Sequence, residues 1–85
     1  MPDIRLLFAN AAAEAKSLKK RPNDAELLTL YALYQQATAG DAQDAPRGAL
    51  DSVGAARHEA WGKLKGMSTA EAMQKYIATV NSLKA

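Results

Sequence analysis

The amino-acid sequence reads as an all-α protein, a bundle of four helices. Alanine is abundant while valine and isoleucine are rare, a balance that favours helix over strand. Apolar residues recur at helical spacing in four separate segments. Glycine, proline and cap-forming residues stand between those segments, where helices must stop and start.

The first helix is expected from about Ile4 to Leu18. Ile4, Phe8, Ala11, Ala12, Ala15 and Leu18 share one face at 3.6-residue spacing. It runs into a basic turn, Lys19-Lys20-Arg21, which suits the negative end of a helix dipole, and Pro22 then stops it. The second helix opens at Asn23, where Asn23-Asp24-Ala25-Glu26 has the form of a capping box. It continues to about Ala39, and Gly40 supplies the C-terminal stop. Leu27, Leu28, Leu30, Tyr31, Leu33, Tyr34 and Ala37 are too many apolar positions for one narrow stripe. A single neighbouring helix cannot cover them all, so a further element or a ligand must.

A connection of about a dozen residues, Gly40 to Ser52, follows; so long a loop in a small domain is often functional. The third helix is expected from about Val53 to Leu64, with Ala56, Ala60, Trp61 and Leu64 on one face and Gly66 closing it. Ser68-Thr69-Ala70-Glu71 forms a capping box for the fourth, which carries Met73, Tyr76, Ile77, Val80 and Leu83 on one side.

With 85 residues the chain has room for one domain, 1–85. A chain of this size buries roughly 60–65% of its unfolded surface. It has no cysteine, hence neither disulfides nor thiolate metal ligands. No apolar run approaches the ~20 residues of a membrane-spanning helix. Met1-Pro2-Asp3-Ile4-Arg5 lacks the pattern of a secretory signal. A soluble, cytoplasmic protein without stable membrane insertion is expected. The net charge is +2, from 11 basic and 9 acidic side chains. Two basic clusters, Lys16 with Lys19, Lys20 and Arg21, and Arg57 with Lys63 and Lys65, suit an anionic small molecule. They are too sparse for a duplex DNA binder, which depends on many phosphate contacts.

No catalytic or metal-binding constellation is visible. His58 is the only histidine, with no thiol or carboxylate pair placed to share a metal. Nucleophile-elbow, P-loop and dinucleotide fingerprints are absent. Attention therefore falls on the aromatic residues. Tyr31, Tyr34, Gln35 and Thr38 share one stripe of the second helix, Tyr76 lies on the fourth, and Arg57 precedes Trp61 by one turn on the third. Such rings serve equally as core members with a wet polar tip or as a nucleotide site, stacking on a purine while arginine holds phosphate. Spacing leaves both readings open.

Longer strings are more specific. Phe8-Ala9-Asn10-Ala11-Ala12 with Lys16-Ser17-Leu18 resembles the first helix of the acyl-CoA-binding protein family. Leu30-Tyr31-Ala32-Leu33-Tyr34-Gln35-Gln36-Ala37-Thr38-Ala39-Gly40-Asp41 closely resembles that family's signature, Y-x-x-Y-K-Q-A-T-x-G-D. The likeness continues through Gly48-Ala49-Leu50-Asp51, Glu59 to Ser68 and Ala72 to Ile77, covering Phe8 to Leu83 with no shift in spacing.

The resemblance implies an up-down-down-up bundle whose long connection joins helices two and three. It implies a non-catalytic carrier of long-chain fatty acyl-CoA, a monomer with no cofactor or metal that meets acyl-CoA-using enzymes transiently and binds no nucleic acid. Helices one and four would pack through Phe8, Ala12, Ala15, Leu18, Tyr76, Ile77, Val80 and Leu83. Tyr31 matches the tyrosine that stacks near adenine. Tyr34 and Tyr76 match tyrosines lining the site, Arg57 a lysine that binds the 3′-phosphate, and Lys16 a lysine near the phosphates and thioester. Ala11, Ala12, Leu27 and Leu28 stand where the family holds the acyl chain.

The departures concentrate on charge. Gln35 replaces the signature lysine, Val53 and Ala55 replace common basic residues, and His58 replaces a tryptophan. Pro46-Arg47-Gly48 inverts a familiar Arg-Pro-Gly order. A charge-assisted hydrogen bond contributes about 1.5–3 kcal/mol, so each loss weakens anion binding. Arginine at position 57 offsets part of this, because guanidinium can grip phosphate with two parallel bonds. The main rival is a helical interaction module that docks a partner helix on its aromatic face.

Overall fold

The computed structural model describes residues 3–44 and 51–84. It contains four helices, α1 Ile4–Ala15, α2 Asp24–Ala39, α3 Ser52–Gly62 and α4 Thr69–Lys84, and no strand among the described residues. They form the four-helix bundle that the sequence predicts, with the up-down-down-up connectivity that the resemblance implies.

Each helix begins on a side-chain cap. Asp3 accepts the Arg5 N–H at 2.9 Å and is gripped by the Arg5 guanidinium at 2.8 and 3.2 Å. That pairing lowers the Asp3 pKa to about 2. At α2 the capping box is complete: Asn23 Oδ1 accepts from Glu26 N, and Glu26 Oε1 accepts from Asn23 N, both at 2.8 Å. Asp51 Oδ1 accepts from Gly54 N at 2.7 Å, so α3 starts one residue before the expected Val53. Only half of the predicted box forms at α4. Ser68 Oγ accepts from Glu71 N at 3.1 Å, while the Glu71 carboxylate pairs with Lys75 instead.

The helix ends differ from expectation in two places. The first helix stops at Ala15, not Leu18, because Ser17 closes the last turn on the Glu14 carbonyl with its N–H (3.0 Å) and its hydroxyl (3.3 Å). The third stops at Gly62, and the turn continues to Gly66, whose φ of +92° few other residues adopt. Gly40 at φ +81° ends α2 as expected. Residues 45–50 of the long connection, with the Pro46-Arg47-Gly48 and Gly48-Ala49-Leu50 strings, lie outside the described residues.

Packing sets the order of the helices. α4 packs on both α1 and α2, and α3 packs on α2 alone. The spatial order is therefore α1, α4, α2, α3, and the molecule is thin, 42 × 28 × 15 Å. The core joins Phe8 and Ala11 of α1, Leu30, Leu33 and Ala37 of α2, and Ala72, Tyr76 and Val80 of α4. Ala12, Ala15, Ile77 and Leu83 pack against it half-buried, as the expected contact of α1 with α4 requires. Leu18 lies beyond the helix end, outside that cluster.

No residue of α3 is fully buried. Trp61, expected on its core face, is half-buried and donates its indole N–H to the Gly40 carbonyl at 2.8 Å. The same junction holds Gln36, which is 0% exposed. Its Nε2 donates to Asp41 Oδ1 at 2.8 Å and to the Met67 carbonyl at 2.9 Å, and Asp41 Oδ1 also accepts from Gly66 N at 2.9 Å. The end of α2 is thereby tied to the turn between α3 and α4. These hydrogen bonds, Gly66 N–H first and Gln36 second, hold the Asp41 carboxyl below its ordinary pKa.

Two outcomes follow from this junction. Gln36→Leu removes two buried hydrogen bonds but also the buried, unpartnered Gln36 Oε1. A net loss of about 1–2 kcal/mol is expected in urea unfolding. For Asp41, a depressed native pKa means stability that is present above about pH 3.9 and lost as pH falls through the native value. The stability difference between the wild type and Asp41→Asn should therefore shrink below pH 4 and vanish in stronger acid. Using the difference cancels the separate acid sensitivity of the Asp3–Arg5 pair.

Candidate ligand-binding site

Because α1 and α2 both rest on α4 and their backbones do not approach each other closely, a gap opens between them. Phe8, Tyr34 and Tyr76 bridge its lower part. Phe8 lies 5.4 Å from Tyr34 and 5.1 Å from Tyr76, the latter edge-on at 72°, and the two tyrosines are 6.0 Å apart. Tyr76 is buried, which raises its pKa, with Tyr34 adding to the effect. Tyr34 keeps 42% of its surface exposed.

Above these rings lies a cavity of about 300 Å³ lined by Ala12, Ala15 and Lys16 of the first helix and its cap, by Pro22, by Leu27, Leu30, Tyr31 and Tyr34 of α2, and by Tyr76. A second cavity, about 490 Å³, lies between α2 and α3. Arg21, Asp24, Leu27, Leu28, Tyr31, Ser52, Val53, Ala56 and Arg57 line it. Leu27 and Tyr31 line both, so the two adjoin along one face of α2. Helical spacing puts them there: positions 24, 27, 28 and 31 are one turn apart, and 34 and 35 continue the stripe.

Tyr31 is the pivot of this surface. The Arg57 guanidinium lies 5.4 Å from its ring centroid, within cation–π range. Its hydroxyl accepts from Gln35 Nε2 at 3.2 Å. The surface combines apolar side chains, Ala12, Ala15, Leu27, Leu28 and Leu30, with the rings of Tyr31, Tyr34 and Tyr76 and with three cations, Lys16 in the first cavity and Arg21 and Arg57 in the second. It suits a ligand that is an anion at some points and a hydrocarbon at others. Among the described residues no group of His, Cys, Asp and Glu side chains converges to hold a metal ion.

Most of the site residues anticipated from sequence line this surface. Lys16, Ala12, Tyr34 and Tyr76 line the first cavity, Leu28 and Arg57 the second, and Leu27 and Tyr31 both. Gln35 lines neither but holds the Tyr31 hydroxyl. Ala11 is 3% exposed, belongs to the core and reaches neither cavity. It lies one position from Ala12, a rotation of about 100° about the helix axis. Sequence reasoning counted Arg21 in a basic cluster suited to an anion but did not single it out as a site residue. Its place directly before Pro22 and the α2 cap sets it at the mouth of the second cavity, beside Asp24. His58, without an assigned role in the sequence, bonds through Nε2 to the Gln43 carbonyl at 2.6 Å and meets Trp61 edge-on.

Comparison with known proteins agrees with this geometry. Residues 6–80 match the family model described as "Acyl CoA binding protein". An acyl-CoA-binding protein homolog of Drosophila melanogaster is 54% identical over 77 residues, 89% of this chain and 90% of that protein. One from Manduca sexta is 49% identical over 77 residues, 89% of this chain and 86% of that protein. The crystal structure of Oryza sativa Acyl-CoA-Binding Protein 2 superposes with a TM-score of 0.87 at 32% identity, covering 95% of this chain and 90% of that one.

Proposed function

This chain belongs to the acyl-CoA-binding protein family, and we propose that it is a carrier of long-chain fatty acyl-CoA with no catalytic step of its own. The observation that carries this reading is the continuous surface along α2, in which Tyr31 and Leu27 line both an aromatic cavity and its neighbour, with at least one cation lining each. An acyl-CoA thioester has the matching parts: a purine, phosphates and a hydrocarbon chain.

In this reading the adenine stacks on Tyr31, beside Tyr34 and Tyr76. Arg57 takes the 3′-phosphate, Lys16 faces the phosphates and thioester, and Ala12, Leu27 and Leu28 cover the acyl chain. Arg21 adds a second guanidinium to the cavity that Arg57 lines. Ala11 supports the chain only through the core. Each methylene removed from water contributes about 0.8 kcal/mol, so the acyl chain supplies much of the affinity and the nucleotide the selectivity. No helix among the described residues is long and apolar enough to cross a membrane. The whole chain, 1–85, acts in this reading as one monomeric, cytoplasmic acyl-CoA-binding domain that hands its ligand to acyl-CoA-using enzymes.

Calorimetric titration with palmitoyl-CoA below its micelle-forming concentration tests the proposal, with free CoA and free palmitate as controls. One-to-one binding of the thioester, far tighter than either control, is expected. Saturable binding to a partner helix and none to the thioester would instead support an interaction module.

Two substitutions sharpen the test. Tyr31→Ala should weaken acyl-CoA binding by about 1–3 kcal/mol through lost stacking. Tyr31 is only half-buried and outside the core cluster, so the thermal midpoint by circular dichroism should move little. A large drop in that midpoint would make Tyr31 a core residue instead. Gln35→Lys should strengthen binding at low salt by about tenfold, since it restores a cation beside the Tyr31 hydroxyl. Unchanged or weaker affinity would refute that role for position 35.

A further inference from the structure

The gap between α1 and α2 has a counterpart on the other side of the molecule. α3 and α4 both rest on α2 and do not pack on each other, so a second groove opens between them. Its volume is about 520 Å³. Leu28, Ala32 and Leu33 form its floor, and Ala60, Leu64 and Ala78 stand in its walls. Leu28 also lines the cavity between α2 and α3 on the front. On α3, Ala56 lines the front cavity and Ala60, one turn later, lines the back groove. The half-buried Leu28 is thus common to the two spaces, and α3, which has no fully buried residue, lines them with small side chains at Ala56 and Ala60.

We infer that this back groove receives the far end of acyl chains too long for the front cavity, which reach it past the side chain of Leu28. The inference rests on the acyl-CoA reading above. Continuity through Leu28 specifies the occupant, and so does charge. The cations at the groove's rim, Lys63 and Lys75, already pair with Glu59 at 3.7 Å and Glu71 at 3.4 Å on the same stretches of chain. The rim therefore has no surplus charge to attract a second anionic headgroup. The apolar floor fits an uncharged hydrocarbon end. A polymethylene chain is no wider than the leucine side chain it must displace, and a rotamer change of Leu28 opens the way.

The groove then extends the range of chain lengths without altering the nucleotide site. Each methylene seated there adds roughly fourfold in affinity, whereas one left in water adds nothing. Titration with myristoyl-CoA and lignoceroyl-CoA, both below their micelle-forming concentrations, reads this directly. Ala60→Phe fills the groove from α3. Ala78→Phe fills it from α4, where residue 78 is exposed and lines neither front cavity. Each variant should lose at least about tenfold in affinity for lignoceroyl-CoA while keeping wild-type affinity for myristoyl-CoA. Leu28→Ala, which removes the shared side chain, should shift the ratio towards the longer chain. If both phenylalanine variants remain folded by circular dichroism and keep the wild-type ratio, the groove is not a chain site. The carrier reading then still stands on myristoyl-CoA binding. If the wild type binds neither thioester, both fall together.

Discussion

The architecture depends on α1 and α2 being held apart. In an alanine-rich chain few side chains are large enough to fill a closed bundle, and here the large ones are grouped. Phe8, Tyr34 and Tyr76 meet at ring distances of 5.1–6.0 Å and join three helices at one point. They bridge a gap that the backbones do not close. Three rings fill the lower part of that gap and leave the upper part open above Tyr31. The same contact that secures α1 therefore shapes the cavity.

α2 serves two surfaces at once. Leu30, Leu33, Gln36 and Ala37 turn inward to the core and the interhelical junction. Leu27, Tyr31 and Tyr34 line the open face, with Gln35 bonded to Tyr31 beside them. The family signature divides along the same line. Gln36, Gly40 and Asp41 hold the turn between α3 and α4, with Gly40 reached through its carbonyl by Trp61. Tyr31 and Tyr34 line the open cavity, and Gln35 bonds the Tyr31 hydroxyl. Adjacent positions on a helix point about 100° apart, so neighbouring signature residues do different work. This also explains why the apolar positions of α2 exceed a single stripe: the surplus belongs to the site.

What was legible in the sequence follows from the range of the interactions. Caps at Asn23 and Ser68 act within three residues and could be read locally, as could the tyrosine stripe, while the equally local cap at Asp51 was passed over and α3 was expected to start at Val53. The end of α1 was misread because apolar spacing reaches Leu18, while Ser17 closes the helix on Glu14 first. The junction was invisible, because Gln36–Met67 and Asp41–Gly66 pair residues 31 and 25 apart. Trp61 looked like a core residue by periodicity, yet its N–H needed an acceptor, and the Gly40 carbonyl 21 residues away supplies it. Ala11 and Ala12 are chemically the same, and only packing decides which one meets a ligand.

The electrostatics of the site turn on Arg57. Its guanidinium rests near the face of Tyr31, and Gln35 fixes the hydroxyl end of the same ring. In the proposed complex the adenine needs that ring and the phosphate needs that guanidinium. A cation held at the ring before the ligand arrives is partly ordered already, which lowers the entropy lost when it grips phosphate. Gln35 is neutral and bonds the hydroxyl, so Arg57 is the cation found at that ring. The site is poised on a single Tyr31–Arg57 pair, with Arg21 the nearest cation lining the same cavity.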